Sequence, residues 1–232
     1  MDNITEPQAV PAPGIPKAKI ITGIILAFLF PLILSALIAG SSLTYEHKVY
    51  YSRFIFWTEV GLLWLYARFV EKQNLLIWTE KESGFKFLLK SILILYAVGF
   101  LAQIVSAIPT LLGFKESNAV MKQIAATVKG HPILIVFISF TAGFCEEMIF
   151  RAYVFTRLSL LIKNKYIPII ISAGMFALLH YKYNSPREYI FSFLIGVIMA
   201  VHYQRYGNIK PLIIVHFLID VVGLVLAAQY LK

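Results

Sequence analysis

Apolar runs long enough to cross a bilayer recur about seven times along these 232 residues. No other feature restricts the fold as strongly. About 20 apolar residues span the hydrocarbon core. Backbone in lipid must satisfy its own hydrogen bonds, so such runs become helices or a closed barrel. Barrel strands alternate apolar and polar residues, whereas these runs are continuous. With 59% hydrophobic and 14% charged residues, the chain reads as all-α, a polytopic transmembrane helix bundle of about seven spans. The spans are expected at Ile20–Leu43, Arg53–Val70, Phe87–Leu112, His131–Arg157, Tyr166–Tyr181, Glu188–Tyr203 and Ile209–Leu231.

The connections are read from the same sequence. Residues 1–18 hold four prolines and no aromatic residue, the composition of a disordered tail. Residues 19–232 are read as a single transmembrane domain. No signal peptide is expected, because the first apolar run is too long for one. Within 114–130, Val120, Ile124 and Val128 recur at helical spacing between polar residues, the pattern of a surface-lying amphipathic helix. Pro31 is a candidate kink in the first span. Glu59, near the outer end of the second span, is expected at an interface. His47, His131 and His202 lie at span ends and are expected there too.

The net charge of +9 does not point to nucleic acid, because most Lys and Arg residues fall in short loops between the apolar runs. There they serve as topology signals and as contacts for lipid headgroups. Loops on the N-terminal side hold the excess, which places the N-terminus in the cytoplasm. The single cysteine, Cys145, excludes an intrachain disulfide.

One stretch conflicts with its surroundings. Glu146, Glu147 and Arg151 lie inside the fourth apolar run, where each charge costs about 2.5–3.5 kcal/mol on insertion scales. On a helix, Glu147 and Arg151 are i and i+4 with the acid first, the favourable order for an ion pair. Glu146 is turned about 100° away. One carboxylate is therefore neutralised and the other is free for chemistry. The later spans add Phe176 with His180, and His216 with Asp220, each at i and i+4 on one face. Ionisable residues within membrane helices face the bundle interior or a water-filled cavity, so these groups are expected to converge. A carboxylate and two imidazoles suffice to activate water, stabilise an oxyanion and protonate a leaving amine.

Glu-Glu-x-x-x-Arg, Phe-x-x-x-His and His-x-x-x-Asp, each in its own late span, resemble the CPBP family, which includes CAAX prenyl proteases of the Rce1 type, bacteriocin-processing enzymes and bacterial immunity proteins. The resemblance covers about residues 131–223. It implies an integral membrane endopeptidase of the glutamate type, without a cofactor, acting on a membrane-associated protein or peptide of CAAX or bacteriocin/signal-peptide type. Carried over by motif, Glu146 activates water with help from His180, and Glu147 with Arg151 is a structural pair. His216 and Asp220 stabilise the oxyanion or position the water; an ionised Asp220 donates no hydrogen bond, so it orients His216 or is itself protonated. The short loops suggest a bacterial plasma membrane. Two alternatives stand beside this reading. Glu146, His180 and His216 also compose a two-His, one-carboxylate set for zinc, and some bacterial relatives are non-proteolytic membrane partners with immunity or regulatory roles.

The depths of the motifs are hard to reconcile. Glu146 lies about 22 Å along a span that starts at His131, yet His180 lies near the end of an antiparallel fifth span. Either the fourth span projects beyond the bilayer, the fifth continues past Lys182, or one of them is tilted or broken.

Overall fold

The computed structural model describes residues 14–230. Most of the expected tail, residues 1–13, lies outside them. The first helix starts inside the remainder, at Lys17. Eight helices are found among the described residues: α1 Lys17–Gly40, α2 Tyr45–Leu65, α3 Phe85–Leu111, α4 Ala119–Val128, α5 Pro132–Leu161, α6 Ile167–Leu178, α7 Pro186–Tyr206 and α8 Lys210–Tyr230. α1 continues through Pro31. α2 ends in a π-helical turn, Tyr66–Glu71.

The all-α class holds, while the expected count of about seven spans is matched only in part. Among the described residues only α1, α3, α5 and α8 are both long and apolar enough to cross a membrane. α2 and α7 each have 21 residues, but their sequences are more polar. α6 has 12 residues, about 18 Å at the helical rise and too short to span alone.

Local chemistry sets several boundaries. α5, α6 and α7 each begin with a proline in the first turn, where the missing N–H would have had no helical partner. α7 is further fixed by an N-cap, with the Ser185 hydroxyl accepting from the backbone N–H of Glu188. Gly207 ends α7 at φ 64°, and a Cβ there would lie 2.2 Å from the carbonyl oxygen of Thr79. Only glycine allows the 72–84 connection to run so close.

α5 is the axis of the bundle. Of its apolar window 72% is buried, against 22–28% for the other three long apolar helices. Their outward faces present Leu37, Leu93, Phe100 and similar residues, as a lipid-facing surface requires. α2, α6 and α8 pack around α5. α2 runs parallel to it, since the Trp57–Thr141, Glu71–Tyr153 and Glu71–Arg157 contacts join residues 84, 82 and 86 apart. α8 runs antiparallel, with Gly143 facing Ile213 and Phe217 and Ile135 clustering with Leu224. α4 is more than a surface segment: Ala125 and Val128 are buried, and Val128 packs with Val49, Leu134 and Leu224.

A buried ionic lock, absent from the sequence reading, closes one end of the bundle. Arg157, the last residue of the expected fourth span, is fully buried and pairs with Glu71 at 2.9 Å. It also donates to the carbonyls of Leu75 and Asn74 at 2.7 and 2.9 Å. Tyr153 donates to Glu71 at 2.8 Å. The lock ties the connection after α2 to the last turns of α5.

Candidate active site

The charged motif sits midway along α5, where the helix widens. Glu147 ends regular α-helix, and Met148–Phe155 forms a π-helical stretch. Such a widening leaves carbonyls to be satisfied by other donors. Ser172 of α6 donates to the Phe150 carbonyl at 3.0 Å, and Thr156 donates to that of Ala152 at 2.6 Å.

Glu147 and Arg151 form the expected pair, Nη1 to Oε1 at 2.9 Å, with exposures of 0% and 2%. The Arg151 guanidinium also lies over the Phe176 ring, 4.5 Å from its centroid, a cation–π contact that joins α5 to α6.

His216 reaches the site from α8. Its Nδ1 lies 2.7 Å from the same Glu147 oxygen. An ion-paired carboxylate only accepts hydrogen bonds, so Nδ1 carries the proton and donates. That bond turns Nε2 toward two further acids: Glu146 Oε2 and Asp220 Oδ2 each lie 3.8 Å from it. This is too long for a direct hydrogen bond and leaves room for a reacting oxygen among the three groups. The spacing along α8 pairs His216 with Asp220, yet its short bond crosses to α5. α8 can come this close because Gly143 lacks a side chain; a Cβ there would lie 2.8 Å from the Phe217 nitrogen.

His180 stands at the edge of this group. α6 runs antiparallel to α5, with Ser172 bonded to Phe150 and the Phe176 ring 5.3 Å from that of Phe150. Continuing that register brings His180 level with the residues around Glu146. α5 has 30 residues, about 45 Å at the helical rise, longer than the roughly 30 Å hydrocarbon core. His180 Nδ1 lies 3.0 Å from the Phe176 carbonyl. A carbonyl only accepts, so Nδ1 donates and Nε2 is left available. Phe176 lies between the two imidazoles, its ring 5.0 Å from that of His180 and 6.1 Å from that of His216.

Among the described residues, no group of three or more His, Cys, Asp or Glu is arranged to hold a metal ion. Cys145 is fully buried in the core.

Two sequence expectations fail on burial. Glu59 is not interfacial: it is 1% exposed, and neither carboxylate oxygen has a partner. By the register of α2 on α5 it lies level with Gly143 and faces the motif region. The available signal was an acid inside an apolar run. His202 is likewise buried, with both ring nitrogens unpartnered, beside Tyr206 at 4.7 Å and Phe87 at 6.1 Å.

Comparison with known proteins gives one family. Residues 129–222 match the model of the Rce1-like family, described as type II CAAX prenyl endopeptidase Rce1-like. No curated protein and no solved structure matches the chain. The match runs from the residues just before α5 into α8, so it takes in each motif-bearing helix. Residues 129–222 are thus similar to the Rce1-like domain, a match consistent with the CPBP family.

Proposed function

We propose that the chain is a glutamate-type intramembrane endopeptidase that cleaves a prenylated, CAAX-type protein substrate. The observation that carries this reading is the orientation of His216, held by Glu147 through Nδ1 so that Nε2 faces both Glu146 and Asp220. Glu146 takes a proton from water as the water oxygen adds to the scissile carbonyl carbon. The resulting oxyanion accepts a hydrogen bond from His216, which in this step carries a proton on each nitrogen. His180 accepts the second water proton as a hydrogen bond at Nε2 and so aligns the nucleophile. Glu146 then returns its proton to the amide nitrogen, the C–N bond breaks, and a carboxylic acid and an amine leave. Asp220 orients His216, and Glu147 with Arg151 positions it without touching the substrate.

The test is incubation of purified protein in detergent with a prenylated peptide ending in a CAAX sequence. Products are identified by mass, and wild type is compared with Glu146→Ala and Cys145→Ala, with and without chelator. Cleavage by wild type and Cys145→Ala, but not by Glu146→Ala, supports the proposal. Loss of cleavage on chelation favours the zinc-dependent version. Absence of cleavage by wild type favours a non-proteolytic role.

A further inference from the structure

Arg53 is the cation that the mechanism leaves unused. It lies on α2, half-buried, and its Nε donates to Ser52 Oγ at 3.2 Å. Its two Nη groups make no hydrogen bond, and no carboxylate lies within 4.0 Å, among the described residues. The guanidinium lies over the Phe56 ring, 5.4 Å from its centroid.

The helix registers place this side chain at the mouth of the site. α2 and α5 run parallel with the separations of 82 to 86 residues given above, so Arg53 is level with about residue 137 of α5. α8 runs antiparallel, with Gly143 against Phe217 and Ile135 near Leu224. Asp220 is then level with about residue 139, close to Arg53. One end of the site therefore presents a planar guanidinium whose two Nη groups are not hydrogen-bonded among the described residues. Glu146 lies about nine residues deeper, or about 13 Å along the axis.

From this placement we infer that Arg53 is a specificity-determining residue that binds the free C-terminal carboxylate of the substrate. The inference rests on the proteolytic reading and names what that site selects. A guanidinium fork matches a carboxylate bidentately, and its fixed geometry gives specificity as well as attraction. Partial burial strengthens the contact relative to one in water. An extended chain advances about 3.3–3.6 Å per residue. A carboxylate about three to four residues beyond the scissile bond therefore reaches Arg53 while the carbonyl lies at Glu146. A longer tail would overshoot the guanidinium, and a C-terminal amide would offer it no charge.

The experiment measures binding, so it does not depend on turnover. Two prenylated, fluorescent peptides are made with a reduced CH2–NH linkage at the scissile position, one ending in a carboxylate and the other in an amide. Binding of each is measured by anisotropy to purified wild type, Arg53→Gln and Arg53→Lys in detergent, and the melting temperature of each variant is recorded. Wild type is expected to bind the acid on the order of 10–100-fold tighter than the amide. Arg53→Gln is expected to bind both peptides at the amide's level, and Arg53→Lys to fall between. Failure of wild type to discriminate would overturn the inference, as would discrimination that survives in Arg53→Gln. Equal weakening of both peptides in Arg53→Gln would overturn it too, and would mark Arg53 as a packing residue or headgroup anchor. Cleavage of the unmodified peptides is scored separately. Discrimination without cleavage refutes the proteolytic reading alone, and cleavage of acid and amide with equal KM refutes the role of Arg53 alone.

Discussion

Replacing Arg151 with methionine removes a guanidinium that is 2% exposed from beside a carboxylate that is 0% exposed. Methionine fills much of the volume, so the main loss is electrostatic: Glu147 keeps its charge and loses its compensation. Breaking one side of a buried ion pair costs about 3–5 kcal/mol. For a chain of this size, each kcal/mol lowers the melting temperature by about 2–4 °C, so Arg151→Met should melt roughly 6–20 °C below wild type. The double variant Glu147→Leu/Arg151→Met removes both charges. Replacement of a buried pair by apolar residues is often neutral or stabilising, so its melting temperature should return to near the wild-type value. Activity should not return with it, because His216 Nδ1 then has no acceptor at 2.7 Å and its ring is free to turn. The assay is thermal unfolding in detergent, paired with peptide cleavage. A single variant that melts within about 2 °C of wild type would show that the pair is not a desolvated structural unit. A double variant no more stable than the single would refute the assignment of the loss to an uncompensated charge.

Three further outcomes follow from the packing. Glu59→Met should raise the melting temperature, because removing a buried carboxylate without a partner relieves about 1–3 kcal/mol of unreturned desolvation; a lower value would mean that Glu59 has a partner in the membrane. Gly143→Ala should destabilise by about 1–3 kcal/mol and slow cleavage, since its Cβ would meet the Phe217 nitrogen and Ile213 oxygen at 2.8 and 3.0 Å and push α8 from α5. Ser172→Ala should cost about 1–3 kcal/mol in thermal unfolding, because it removes the donor to the Phe150 carbonyl in the π-helical stretch.

The helices and the ion pair were legible in the sequence because both follow from periodicity. Continuous apolar runs mark membrane helices, and a spacing of four residues places Glu147 on Arg151 whatever the rest of the fold does. Contacts between helices have no such local signature. His216 was paired with Asp220 by spacing, while its shortest bond goes to Glu147, 69 residues earlier. The register that allows this depends on Gly143, whose lack of a side chain matters only once α8 is in place. The π-helical stretch after Glu147 was equally hidden, since its freed carbonyls are satisfied partly by Ser172 on another helix. Glu59 and His202 were misplaced for a common reason. A polar residue near the end of an apolar run is usually interfacial, but here each lies under a neighbouring helix. The buried pairing of Arg157 was hidden because its partner, Glu71, is 86 residues away.

The central claim is that Glu146 activates the attacking water while Glu147 serves structure. The most direct measurement is the initial rate of peptide cleavage by Glu146→Gln relative to wild type, at a temperature where both are folded. Glutamine keeps the shape and accepts no proton. The account predicts a loss on the order of 10²–10⁴-fold, the usual size of a general-base contribution, with a melting temperature close to that of wild type. A rate within tenfold of wild type would contradict it.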